Sequence, residues 1–390
     1  MMKIKLKKIA KVLSGSTAPK DNEFSENNGK PFIRAGHLEE LCNGKSLMEL
    51  PKIEESIAQN RKMVLVPENT ILFAKSGMSI LKNRVYKTTH EAYIVNHLAA
   101  IICSNEIEPD YLYYFFRANP PSRLVLDSSY PSIRLSDIGE VDIDLPSKTI
   151  QKKISKLLKQ AEEIIFKRKA QIEALDQLTQ SVFLEMFGDP KTNPKNWDVI
   201  PLGELFEIKT GGTPSRENKN YWQNGKIPWV KTTEIKENTI LVTEEYITEE
   251  GLRNSNAVLL PKNTILIAMY GQGKTRGRTA KLGIEATTNQ ACAAILPCKE
   301  HNPDFIWRQL MMQYQTLRDL GRGGNQPNLN LTLIKQFKII VPPLSQQNTF
   351  AKIIQKIEFQ KDLLQKSLVE LENNFNSLMQ RAFKGELFND

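Results

Sequence analysis

The chain has 390 residues, 40% hydrophobic and 25% charged, the balance of a soluble globular protein with room for two or more cores. Lys plus Arg outnumber Asp plus Glu by 53 to 44, a formal charge of +9 with a pI near 9.1, which favours a polyanionic partner such as DNA or RNA. Four cysteines without a C-x-x-C pair and four scattered histidines speak against a zinc site or a disulfide framework. There is no apolar run of about 18 residues for a membrane span, and the start MMKIKLKKIAKVLS lacks a signal-peptide core, so a cytoplasmic protein is expected.

Short β-type segments dominate up to about residue 105: IKLKKIAKVLSG, PFIRAGHL, MVLVPENTILFAKSG and EAYIVNHLAAIIC. A short helix is expected from Asp110 to Arg117, stopped by Pro120-Pro121. From Thr149 to Phe187 the pattern turns helical. Ile150, Ile154, Leu157, Ala161, Ile164, Leu175, Leu178 and Val182 alternate steps of four and three, the seam of a coiled coil, interrupted once by Arg168 and Gln171. GDPKTNPKNW, from Gly188, then reads as a linker.

The order begins again after it. LKKIAKVLSG at Leu6 matches LGELFEIKTG at Leu202, VPENTILFAKSG at Val66 matches LPKNTILIAMYG at Leu260, and SSYPSIRLSDI at Ser128 matches GNQPNLNLTLI at Gly324. Across seven such blocks the spacing stays within 193 to 197 residues, which marks a tandem duplication. The second copy ends in its own apolar stripe: Phe350, Ile354, Ile357, Leu364, Leu368, Leu371, Phe375, Leu378 and Ala382. Each half is thus a β-rich domain followed by one helix of roughly 55 Å. Antiparallel pairing of the two helices would bury both stripes and relate the halves by a pseudo-twofold axis; packing of each helix back on its own domain is the alternative. The expected divisions are 1–148 and 189–344 for the domains, 149–188 and 345–390 for the helices.

With these blocks in view the chain resembles the specificity (S) subunit of a type I restriction-modification enzyme over essentially its whole length. The likeness is carried by MFGDPKTNPKNWDVIPLGELFEIKTGGTPSR from Met186, PKNTILIAMYGQGKTRGR from Pro261 and GGNQPNLNLTLIKQFKIIVPPLSQQ from Gly323, in that order and duplicated. The resemblance implies an α+β fold of two target recognition domains joined by two long antiparallel coiled-coil helices. It implies a non-catalytic role: reading a bipartite double-stranded DNA target while docking two methyltransferase (M) subunits and, optionally, restriction (R) subunits. S-adenosylmethionine would then sit in the partner methyltransferase, with no cofactor on this chain.

The strongest rival motif is Ala268-Met-Tyr-Gly-Gln-Gly273-Lys274-Thr275, a relaxed phosphate-loop pattern after an expected strand. A phosphate loop needs its Lys-Thr to open a helix, whereas Arg276-Gly277-Arg278 and KLGIEAT follow here, and the paired Ala74-Lys75-Ser76-Gly77 has no Gly-Lys-Thr. The competing reading puts Tyr270, Gln272, Lys274, Arg276 and Arg278 on a flexible loop facing DNA, where cations spaced by small residues suit phosphates or a guanine edge; a solvated hairpin tip is the third. Lys75, Ser76, Lys82 and Arg84 form the corresponding stretch of the first half. The glycine-opened loop with Arg322, Asn325, Gln326 and Asn328 suits backbone positioning or adenine recognition, and Ser128, Ser129, Tyr130 and Arg134 are its first-half counterparts. Thr213 and Arg216, with Tyr221 and Trp222 following, are candidate backbone contacts. Asn119-Pro120-Pro121-Ser122 lacks the aromatic that would stack on a flipped base and no glycine-rich turn precedes it, so it reads as a helix stop, leaving methyl transfer to a partner. No convincing nuclease carboxylate set or nucleophile arrangement is visible.

Overall fold

The computed structural model describes residues 2–127, 129–271, 273–321 and 328–388. They form two compact units: one made of residues 1–169 with 366–390, the other of residues 170–365.

In the first unit the strand Leu98–Cys103 lies centrally in an antiparallel sheet, between Ala10–Ser14 on one side and Ile71–Ala74, then Val85–Lys87, on the other. Its sequence LAAIIC does not alternate because Leu98 to Ile101 are all buried, as in a strand covered on both faces. A second sheet orders Lys52–Ile53, Lys30–Ile33, Ala92–Ile94 and Leu65–Val66, the middle pair parallel. The strands Met2–Lys5 and Asp142–Leu145 pair as a separate ribbon that leads into Pro146 and the first long helix, Lys148–Phe187.

The second unit holds a five-stranded and a three-stranded sheet in place of two four-stranded ones. Ile208–Thr210, Cys292–Ile295, Ile265–Ala268 and Thr279–Leu282 are neighbours in an antiparallel sheet, extended by the parallel strand Thr239–Ile240. Ile227–Val230 lies between Glu245–Ile247 and Thr287–Thr288, and the ribbon Asp198–Pro201 with Lys338–Val341 precedes the second long helix, Leu344–Phe383. The turn that enters the sheet is built alike in both units. Asn69 and Asn263 take positive φ of 64° and 71°, which asparagine tolerates, and the Thr70 and Thr264 hydroxyls donate to the carbonyls of Pro67 and Pro261 at 2.8 and 2.7 Å.

Each long helix has 40 residues and contributes to both units. In the first unit Ile150, Ile154 and Leu158 enter the domain core together with Phe375, Met379 and Ala382 of the second helix. Tyr111 packs on Phe383, and Arg117 pairs with Glu162 while lying 5.3 Å from the Phe375 ring centroid. In the second unit Phe183 and Phe187 meet Phe305 and Phe350 with ring centroids 4.8 to 6.2 Å apart. Asp176 pairs with Lys361 and Phe187 with Phe350, so within this unit the two helical segments run antiparallel.

The buried ridge of the first helix departs from the expected seam. It steps by four, Ile150–Ile154–Leu158 and Thr179–Phe183–Phe187, whereas Ile164 and Leu178 are 50% and 44% exposed. Helix packing against domain cores, and not only against a partner helix, selects rows four apart over a strict 4-3 alternation. The stretch read as a linker is an ordered cap. Gly188 takes φ of 78°, Lys195 Nζ donates to the carbonyls of Glu185 and Met186 at 2.6 and 2.9 Å, and Trp197 Nε1 donates to Phe187 O at 3.0 Å. These bonds satisfy carbonyls that the helix end leaves open and place a cation at its negative pole.

Candidate nucleic-acid interface

In both units the loop ahead of the long-helix ribbon docks on the residue just past the central hairpin strand. Ile133 N donates to Lys75 O at 2.9 Å and Leu329 N donates to Met269 O at 3.0 Å, while Lys75 N and Met269 N donate to His97 O and Ala291 O. In the first unit Gly77 N adds a bond to Pro131 O, so Lys75 and Ser76 are gathered with Tyr130 to Arg134. Tyr130 is 84% exposed and Arg134 is exposed at the N-terminal end of the short helix Leu135–Gly139. The Ser76 hydroxyl lies 2.6 Å from His97 Nδ1. Lys82 and Arg84 belong to the neighbouring connection, a 3-10 turn over Met78–Lys82 closed by Asn83 in the left-handed region. Lys82 is exposed, but Arg84 is engaged by Glu39 at 2.7 Å. Asn119 ends the helix Pro109–Ala118, consistent with a stop.

The second unit corrects the reading of residues 268 to 278. This stretch is the connection between the antiparallel strands Ile265–Ala268 and Thr279–Leu282, with Ala268 N donating to Arg278 O and Gly277 N to Ala268 O, both at 2.9 Å. Lys274 and Thr275 therefore lead into a strand and open no helix, which removes the geometry a phosphate loop requires. The connection is also held down. Tyr314 Oη donates to Lys274 O at 2.8 Å, and Arg318 donates to Arg276 O at 3.4 Å and to Tyr314 Oη at 2.9 Å. Arg276, expected on a flexible loop facing DNA, is 8% exposed, and its Nε has no hydrogen-bond partner among the described residues. Lys274 and Tyr270 are exposed and Arg278 is half-buried. Asn328 is exposed beside Leu329; Gln272, Arg322, Asn325 and Gln326, like Ser128, lie outside the described residues.

Thr213 and Arg216 have intramolecular partners. The Thr213 hydroxyl donates to Gln290 Oε1, and Arg216 lies 3.6 Å from the Trp222 ring centroid and 4.8 Å from that of Trp229 while pairing with Glu245. That hydrogen bond is the main reason the Glu245 carboxyl sits below the ordinary glutamate range. Lys231 bridges Glu244 and Glu245 at 2.7 and 3.1 Å. Thr213 and Arg216 thus brace one corner of the unit, apart from the 270–278 connection in sequence and in partners.

Two groups escaped the sequence reading. His97 is one; its signal was a polar Asn96-His97 pair within the apolar run AYIVNHLAAII. The other is Tyr314 with Arg318, on the short helix Tyr314–Asp319, whose i, i+4 spacing sets two polar heads on one face. Thiol chemistry is unsupported: burial pushes both Cys103 and Cys292 up to about 12. Among the described residues no group of three or more His, Cys, Asp or Glu could hold a metal, and no helix is long and apolar enough to cross a membrane.

The model of the type I restriction modification DNA specificity domain matches residues 1–174 and 194–373. The chain is 25% identical over 363 residues to the MjaIX type I restriction enzyme specificity subunit of Methanocaldococcus jannaschii, covering 86% of this chain and 81% of that one. It is 22% identical over 417 residues to the StySPI specificity subunit of Salmonella potsdam, covering 97% and 87%. Its fold is similar to that of the S subunit of the type I restriction-modification system from M. genitalium, at 17% identity and a TM-score of 0.59, covering 98% of this chain and 96% of that one. A chain from a structural study of type I R-M complex assembly and conformational transition aligns at 17% identity and a TM-score of 0.63, covering 99% and 98%. An α+β chain whose two matched segments together span nearly its full length, with relatives that are themselves specificity subunits, belongs to the type I restriction-modification DNA specificity family.

Proposed function

We propose that this chain reads a bipartite double-stranded DNA target, one part with each unit, and positions methyltransferase subunits, and restriction subunits where present, on that target. The observation that carries the reading is the paired docking of Ile133 on Lys75 and Leu329 on Met269. It sets exposed Tyr130 and Arg134 in one unit, and exposed Asn328 in the other, beside the connection that follows Ile71–Ala74 or Ile265–Ala268, the arrangement expected of two readers derived from one ancestor by duplication. Exposed Lys82, Arg134 and Lys274 supply cations for phosphates, and Tyr130 and Asn328 supply groups for base edges or backbone. The methyl donor, S-adenosylmethionine, belongs on this reading to the partner methyltransferase.

Methylation-sensitive sequencing of a host carrying the chain and its methyltransferase tests the proposal. The expected result is one motif of two specified parts separated by unspecified base pairs, lost when the chain is deleted. A single contiguous motif, or a motif that survives deletion, would overturn it. Removing seven residues from each long helix shortens each by roughly 10 Å, about three base pairs of duplex, and is expected to change the number of unspecified positions while keeping both specified parts.

A further inference from the structure

We infer that Arg34 of the first unit, seated in the cleft it shares with Lys20, Asp21 and His97, reads a guanine in the half of the target that this unit contacts. The inference rests on the DNA-reading proposal and assigns a residue to it. The cleft is open, about 560 Å³, and its lining includes Lys20, Asp21, Arg34 and His97. Through His97, whose Nδ1 meets the Ser76 hydroxyl at 2.6 Å and whose carbonyl accepts the Lys75 amide, it adjoins the loop that carries Tyr130 and Arg134.

Arg34 follows the strand Lys30–Ile33, and its backbone amide donates to His37 Nδ1 at 3.2 Å. Its guanidinium lies 4.9 Å from the Phe24 ring centroid, a flat support that limits the rotamers of a long side chain without using its donors. Among the described residues its carboxylate partner is Asp21 at 3.5 Å, on a side chain 98% exposed. Such a pair contributes little and opens readily. A supported guanidinium with a loose counter-charge has the fork of donors that matches guanine O6 and N7, the commonest specific contact in a major groove.

The second unit shows the contrasting case. Lys231 follows Ile227–Val230 as Arg34 follows Lys30–Ile33, and both strands pair in parallel with a neighbour. There the cation is held by two carboxylates at 2.7 and 3.1 Å. The position is thus open for reading in one unit and closed in the other.

The test uses the purified complex of the full chain with its methyltransferase partners and a pool of duplexes randomised across the target. With Arg34→Lys, which keeps the charge and loses the fork, preference for guanine at one position in one half of the target is expected to fall roughly ten- to a hundredfold, with the other half unchanged. Asp21→Asn removes the competing carboxylate and is expected to hold or raise that preference. Uniformly weaker binding to all sequences by Arg34→Lys would show a phosphate contact only and overturn the inference, as would loss of preference in Asp21→Asn. Unchanged specificity of Arg34→Lys in a wild-type complex that does read two half-sites would overturn it while leaving the functional reading intact. A wild-type complex with no sequence preference would overturn both.

Discussion

The side-chain oxygen of Gln151, 1% exposed in the first turn of the first long helix, accepts the backbone amide of Glu108 at 2.8 Å. Its amide nitrogen donates to Pro146 O at 2.9 Å, so one side chain ties the start of the helix Pro109–Ala118, the pre-helix proline and the long helix together. Gln347 makes the equivalent set in the second unit, accepting from Asn302 N at 2.9 Å and donating to Pro342 O at 2.8 Å. Replacement by Ala leaves buried amide and carbonyl groups unpaired, at about 1 to 3 kcal/mol for each group that water cannot reach. Gln151→Ala is expected to lower the stability of the first unit, and Gln347→Ala that of the second. Hydrogen exchange at Pro109–Ala118 and Pro303–Met312 reads the two separately; equal protection in wild type and variant would contradict the stitch.

Phe350 is wholly buried against Phe183, Phe187 and Phe305. Phe350→Ala is expected to cost about 3 to 5 kcal/mol, because rings fixed on two other segments, the first long helix and Pro303–Met312, cannot collapse into the space left. Denaturant unfolding followed by amide exchange within residues 170–365 checks this; a loss below about 1 kcal/mol would mean that the cluster repacks.

Lys274 and Arg216 separate phosphate contact from bracing. Lys274→Ala is expected to leave thermal stability unchanged, to weaken DNA binding by the assembled complex evenly across sequences, and to reduce the salt slope by about 1. Arg216→Ala removes a cation stacked on Trp222 and paired with Glu245, so a stability loss of about 1 kcal/mol is expected. The two variants are compared by thermal melts and salt titrations side by side; the opposite assignment of effects would refute the placement.

Burial lowers the pKa of His37 and His301 below the usual 6.5. The unfolded chain then takes up protons before the folded one does, so stability from these groups is complete above pH 6.5 and is lost as pH falls through the depressed folded values. His37→Gln is expected to flatten that slope for the first unit, and His301→Gln for the second, in melts recorded from pH 7.5 down to about 5.

Much of this was legible because periodicity reports burial. The second helix keeps nearly all of its expected stripe, from Phe350 and Ile354 to Phe375 and Ala382, buried or half-buried. In the first helix the same reasoning chose Ile164 and Leu178, which face solvent, over Leu158, Phe183 and Phe187, since a heptad template assumes one helical partner and the helix has a domain core as well. The run around Arg276 shows a related effect: composition marks a Gly- and cation-rich run as exposed, but tertiary contact with Tyr314 and Arg318 decides which of its cations stays out. The phosphate-loop pattern failed because its letters specify residues and not the helix that gives them meaning. Arg34 carries no local signal, since its support, Phe24, lies ten residues upstream across a turn.

The division of the chain bears on biosynthesis. Residues 366–383 belong to the first unit, where Phe375 packs on Tyr114, and Phe383 on Tyr111 and Phe115. During translation those aromatic side chains wait uncovered until all of the second unit has left the ribosome. The later-made turns of helix thus complete the earlier-made core, and a chain arrested between the two leaves an apolar face for chaperones and proteases to find.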